Sequence, residues 1–154
     1  MESRNLKVLF LTIIFVFSIY YFSFCWEKII GGPNNDVGHS VQLTSDGGFI
    51  ITGWTDSFTG SWGNSDIYLV KTDGCGGIEW QKSFGGPYWE NGWAVTQTAE
   101  GDYVVGGFIA SASTMQDVAL IKTDASGNTL WMKTYGGTED DYGFRFEVRP
   151  CLQT

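Results

Sequence analysis

Histidine, cysteine and charge are all scarce in this chain. One histidine, His39, occurs in 154 residues, so a nucleophile with an imidazole base and an orienting third group has only that position to build on, and no such set is visible. Three cysteines, Cys25, Cys75 and Cys151, do not make a disulfide framework, and no CxxC or Cys/His spacing suited to zinc occurs. Charged residues make up 17 % and aromatics 16 %, a balance that excludes disorder, which needs low hydrophobicity and high charge. A helical bundle would be richer in Ala, Glu, Lys and Leu, and no segment after Trp26 repeats with a period of 3.6. The net charge of −8 and a pI near 4.4 oppose a phosphate backbone and argue against nucleic acid as a partner.

What is present is glycine, 21 residues of it, among aromatic and β-branched residues, the mixture expected of short strands joined by tight turns. The first 25 residues stand apart. Arg4 and Lys7 lie in a short polar head, and Val8 to Cys25 then runs without a charge, the layout of an export segment. Three fates fit it: a signal peptide cleaved after Cys25 with Ser23 and Cys25 as the small residues, an uncleaved membrane anchor, or a lipid-modified Cys25. Each places the rest of the chain outside the cytoplasm, with membrane contact only through residues 8–25. That compartment would allow Cys75 and Cys151 to pair, although their positions give no geometric reason for it.

Self-similarity organises the remainder. Trp26-Glu-Lys-Ile-Ile-Gly-Gly recurs as Trp80-Gln-Lys-Ser-Phe-Gly-Gly and Trp131-Met-Lys-Thr-Tyr-Gly-Gly, at steps of 54 and 51 residues. Between these anchors Asp36-x-Gly38 matches Glu90-x-Gly92 and Asp141-x-Gly143, Gly48 to Gly53 matches Asp102 to Gly107, and Asp66 to Asp73 matches Asp117 to Asp124. The units are about 26–79 and 80–130 with a partial third at 131–144, followed by a divergent tail at 145–154. Each unit reads as four strands, near 39–45, 48–55, 66–73 and 78–84, then 93–99, 102–110, 117–124 and 129–135, bounded by Gly, Asp and Ser. The fold class expected is all-β: two four-stranded antiparallel propeller-like blades plus a partial third, behind an N-terminal signal or anchor helix.

The pattern W-x-K-x-x-G-G, D-x-G-x-S-V, D-G-G-F-I and D-x-Y-L-V-K-T-D resembles the β-propeller-type repeats of large secreted bacterial and archaeal proteins, from Trp26 to about Gly143. The resemblance implies a surface or extracellular array rather than a known activity. Kelch repeats are similar in period and in the pair Gly106-Gly107, but Thr52 stands where the other unit would need the first glycine. The turn from Asp124 to Trp131 is similar to the Asp-box hairpin of sialidases without its spacing. The departure comes after Gly143, where Arg145 to Thr154 replaces the expected strand. Propellers close with about four to eight blades, so the expectation is a truncated or frameshifted member, or one that assembles with copies of itself through open blade faces.

Recurrence in register makes Trp26, Trp80 and Trp131 packing residues between adjacent sheets, and Asp73 and Asp124 caps of their turns. His39 aligns with Trp93 and Phe144, which marks a packing position rather than a base. Asp36, Glu90 and Asp141 each follow a glycine pair by four residues and are the only candidates for a metal, calcium being the cation they would suit; no D-x-D-x-D-G loop accompanies them. No other cofactor is indicated. In an up-and-down sheet, loop 56–65 and connection 87–92 emerge at one edge. They carry Phe58, Trp62, Tyr88 and Trp89, none of which has an aromatic counterpart at the matching position of the other unit, Tyr88 aligning with Asn34, so the repeat does not require them for packing. These four are the candidate binding residues, facing a protein or carbohydrate surface. The function expected is a non-enzymatic extracytoplasmic module for binding or scaffolding; the alternative is a glycan-active hydrolase or lyase with its site on the loop rim.

Overall fold

The computed structural model describes residues 27–59, 64–112 and 115–141. They form two four-stranded antiparallel sheets in simple meander order. The first comprises β1 (Asp36–Leu43), β2 (Phe49–Thr55), β3 (Asp66–Thr72) and β4 (Ile78–Phe84). The second comprises β5 (Glu90–Gln97), β6 (Tyr103–Ala110), β7 (Gln116–Thr123) and β8 (Thr129–Tyr135). The chain is therefore all-β over the described residues, as its composition requires. The leader, Trp26, Trp62 and everything after Asp141, including Gly143, Phe144 and Cys151, lie outside them.

The repeat holds at the level of register. Each sheet carries an irregularity in its first strand, between Gly38 and Ser40 and between Gly92 and Ala94, and another between its third and fourth strands, at Lys71/Thr72 and Lys122/Thr123. The first of these makes His39 and Trp93 the extra residue of a bulge. It also brings the two strands so close that a β-carbon on Gly53 would lie 1.7 Å from the Val37 carbonyl oxygen, and one on Gly107 would lie 1.9 Å from that of Asn91. Only glycine fits there.

Both first strands begin three residues earlier than the sequence pattern suggests, at Asp36 and Glu90 rather than near 39 and 93. The bulge interrupts the alternation on which the strand signal depends, and a leading carboxylate followed by glycine reads as a turn. Asp36 and Glu90 are consequently strand residues, not residues of the preceding connection.

Turns are closed by side chains. Asp73 Oδ1 accepts the N–H groups of Cys75 and Gly77 at 2.9 and 2.7 Å, and Asp124 Oδ1 those of Ser126 and Asn128 at 2.9 and 2.8 Å. Cys75 is exposed on its turn and is free among the described residues; a pairing with Cys151 would involve a residue outside them.

The sheets pack face to face, with β5 lying across β1, β2 and β3. Alternation sends Ile50, Ile67 and Leu69 from the first sheet, and Val95, Tyr103, Val105 and Ile121 from the second, into one core, flanked by Trp80, Phe84 and Ile109. Each such side chain contributes about 1.5–3 kcal/mol on leaving water. Trp80 joins the sheets twice: its ring lies 5.8 Å from Tyr103, and its indole N–H donates to the Ala125 carbonyl at 3.2 Å. His39 stacks on Trp93 at 4.3 Å, the two bulge residues meeting across the interface. Trp131 holds the position of Trp80 in the second sheet, where no third sheet is described. It stays 37 % exposed, with the Lys133 ammonium 5.7 Å from its ring.

Candidate functional site

Strand reversal puts the β2–β3 loop and the β4–β5 connection at one end of the first sheet, and hydrogen bonds fasten them together. Glu90 N–H donates to Ser65 O at 2.8 Å, Ser65 Oγ returns a bond to Glu90 O at 3.3 Å, and the Asn64 amide donates to Pro87 O. Ser83 Oγ donates to Phe58 O at 3.1 Å, and Ala110 N–H to Trp89 O at 3.0 Å. Phe58, Tyr88 and Trp89 thus share a rim whose backbone is fixed.

Their side chains differ in availability. Phe58 stacks on Tyr68 at 5.5 Å, so one face of its ring packs against the outer side of the first sheet. Tyr88 is exposed, and Trp89 presents 60 % of its surface to solvent. An indole held by its own strand end is an apolar plate that a sugar ring or a partner side chain can cover at little entropic cost. Trp62, the fourth candidate, lies outside the described residues.

The three acids have a shared local task. Gly32 N–H donates to Asp36 Oδ2 at 2.7 Å, Gly86 N–H to Glu90 Oε2 at 3.3 Å, and Gly137 N–H to Asp141 Oδ2 at 3.1 Å. Each carboxylate reaches back four residues and closes the turn at the second glycine of its pair. Asp36 is further held by the hydroxyls of Thr55 and Ser57, the latter at 2.8 Å. Among the described residues no group of three or more His, Cys, Asp and Glu side chains is placed to hold a metal ion.

A carboxylate pair that the sequence pattern did not expose lies beneath Glu90. The point where Gly85 would carry a β-carbon is 2.4 Å from Asp66 Oδ1 and 2.6 Å from Glu90 Oε2, which puts the two oxygens within about 5 Å of each other. Gly136 has the same relation to Asp117 and Asp141, at 2.0 and 3.0 Å. Asp66 is 7 % and Glu90 1 % exposed, and Asp66 Oδ1 has no hydrogen-bond partner. Burial, and after it the Asp66 charge, pushes the Glu90 carboxyl up to about 7 against the pull of the Gly86 N–H. Burial raises Asp66 as well. The signal was available in principle, since Asp66 and Asp117 occupy matched positions, as do Glu90 and Asp141. What the sequence lacks is the fold across 24 residues that brings them together.

Burial lowers the pKa of His39, and one face of its ring stacks on Trp93. Among the described residues no helix is long and apolar enough to cross a membrane. A scan against models of protein families finds no match, and no curated protein matches the sequence.

Proposed function

We propose that this chain is an extracytoplasmic repeat module of the β-propeller type that works by binding or scaffolding, with the aromatic rim at Trp89 and Tyr88 as its contact surface for carbohydrate or protein. The observation that carries the reading is Trp89: an indole mostly in solvent, on a backbone pinned by the Ala110 N–H, at a position occupied by Asn35 in the other unit. Placement outside the cytoplasm rests on the charge-free run from Val8 to Cys25. The two sheets with matched registers are what consecutive blades of a propeller would look like. Fold alone names no ligand.

The glycan-active alternative would need paired carboxylates open to substrate. The Asp66–Glu90 spacing falls near that of a retaining glycosidase, but both side chains are buried beneath Gly85, where no sugar ring reaches them. Binding is therefore the reading the rim supports best. Replacing Trp89, Tyr88 and Trp62 with alanine and comparing the full chain on glycan and extracellular-protein arrays tests it. Loss of a ligand bound by the parent chain is expected; a parent ligand retained by the triple variant refutes the rim as the contact.

A further inference from the structure

The outer face of the second sheet is apolar, and its burial is uneven. Val104, Gly106 and Phe108 of β6, Val118 and Leu120 of β7, and Trp131 and Tyr135 of β8 share this face. Val104 and Phe108 are each 8 % exposed, whereas Trp131 is 37 % and Tyr135 53 % exposed. No described strand lies across it, since β5 packs on β1, β2 and β3 of the first sheet. The face is closed over β6 and open at its β8 edge. One strand, laid on the second sheet as β5 is laid on the first, would produce that pattern. It would cross β5, β6 and β7, the counterparts of β1, β2 and β3, and miss β8.

We infer that this covering strand is the chain's own segment from Asp141 to Val148, of which residues 142–148 lie outside the described ones. The chain enters the segment as it enters β5. Asp141 N–H donates to Gln116 O at 2.6 Å, as Glu90 N–H donates to Ser65 O at 2.8 Å. Asp141 Oδ2 accepts the Gly137 N–H as Glu90 Oε2 accepts that of Gly86. From there the register continues, with Gly143 at the place of Gly92 and Phe146 at the place of Val95. Phe146 and Val148 alternate with Arg145, Glu147 and Arg149, which gives an extended strand one apolar side for the sheet and one charged side for water.

Side-chain volumes fit as well. Ile50 and Ile67 share the core with Val95, and their counterparts in the second sheet are the smaller Val104 and Val118. The β-carbon position of Gly92 lies 2.4 Å from Thr52 Oγ1 and 3.1 Å from Ile67 Cγ2, so β5 passes directly over those two residues. The counterpart of Thr52 is Gly106, and the incoming Val95 is replaced by Phe146. Volume missing from the second sheet is thus restored by the larger ring, as close packing requires. The outer face of the first sheet already shows a lone segment in this role. Ile30, the sequence counterpart of Phe84, lines a hollow there with Ile51, Tyr68 and Val70, and Val70 is 1 % exposed. Covered by its own chain, the second sheet does not offer β6 and β7 to another molecule. The inference concerns this sheet face and does not depend on binding at the rim.

The contact of Gly92 with Ile67 supplies the test, because its 3.1 Å approach is within the reach of a disulfide. Val118→Cys and Gly143→Cys are introduced into the full chain with Cys25, Cys75 and Cys151 changed to serine, and mild oxidant is applied. The expected product is a link within one molecule, read by peptide mapping. Phe146→Asp should slow its formation on the order of tenfold, and Glu147→Ser, on the solvent side, should leave it unchanged. Failure to form the link overturns the inference, as does a link found only between molecules, which would make a second copy the covering partner. Equal slowing by Phe146→Asp and Glu147→Ser also overturns it, as does equally fast linking when Val41→Cys replaces Val118→Cys. Should the double-cysteine chain fold poorly, thiol labelling of Val118→Cys alone reads the same contact. Labelling should then be on the order of tenfold faster in the presence of Phe146→Asp, and equal rates overturn the inference.

Discussion

Replacing Glu90 with glutamine isolates the energetic effect of a buried carboxyl. In the folded chain Glu90 titrates near 7, against 4.5 ordinarily. The folded state therefore binds the proton more tightly than the unfolded state, and stability falls as pH rises from about 4.5 to about 7, then levels. At about 1.4 kcal/mol per pH unit, the full loss is about 3 kcal/mol. The cause is local. Asp36, at the matching position, is held by the Thr55 and Ser57 hydroxyls, whereas the residue paired with Glu90 is Ile109. That leaves Glu90 a single long bond from Gly86 and a second carboxyl beside it. Glutamine keeps the shape, removes the charge and can donate its amide to the unpartnered Asp66 oxygen. Unfolding by denaturant at intervals from pH 5 to 8.5 should show the parent losing stability on rising pH while Glu90→Gln loses about 2–3 kcal/mol less. His39, whose folded pKa is lowered, acts in the opposite sense: its contribution is present above pH 6.5 and lost below. It is common to both proteins and cancels in the difference. Ile109→Thr, which restores a hydroxyl beside Glu90, should flatten the parent profile in part. Parallel curves for parent and Glu90→Gln across this window would refute the reasoning.

Further outcomes follow from the same geometry. Trp80→Ala should cost about 3–5 kcal/mol because the ring closes the inter-sheet core, while Trp131→Ala at the matching exposed position should cost about 1 kcal/mol or less in the monomer; equal costs by thermal unfolding would contradict the asymmetry. Lys71 is 2 % exposed between Asp46 and Glu79, at 2.8 and 2.9 Å, and both acids face solvent. Lys71→Met, which keeps the apolar stem, should stay within about 1 kcal/mol of the parent and Lys71→Ala should lose about 2–3 kcal/mol; the reverse order in denaturant titrations would mean that charge, not packing, holds the site. Gly107→Ala should cost about 3 kcal/mol or more, since its methyl would overlap the Asn91 carbonyl, and Gly137→Ala, with nothing within 4 Å, should be near neutral; soluble yield and melting temperature read both.

The repeat was the legible part of the fold because a period survives substitution. Its strands, its turn-capping Asp73 and Asp124, and the packing role of Trp80 all follow from matched positions. Strand starts were not legible, since the bulge at His39 and Trp93 breaks alternation just where each first strand begins. The rim was half legible: loop connectivity places Phe58, Tyr88 and Trp89 together, but only the folded structure shows that Phe58 turns a face onto Tyr68. The carboxylate pair was hidden for another reason. Asp66 and Glu90 read as two ordinary acids until the connection around Gly85 folds one over the other.

Equivalent residues in this chain behave differently because each takes its properties from the junction it faces. Val41 and Val95, and Trp131 and Trp80, are the same positions of one repeat; one member of each pair meets another sheet and the other does not. Stability in such an array is a sum of unit terms and nearest-neighbour terms, and here only one neighbour term is formed within the described residues. The intrinsic cost of each four-stranded unit is therefore shared by a single junction, and every additional sheet laid on either face would add a junction without adding a new kind of contact. That arithmetic favours stacking, whether the next sheet comes from the same chain or from another.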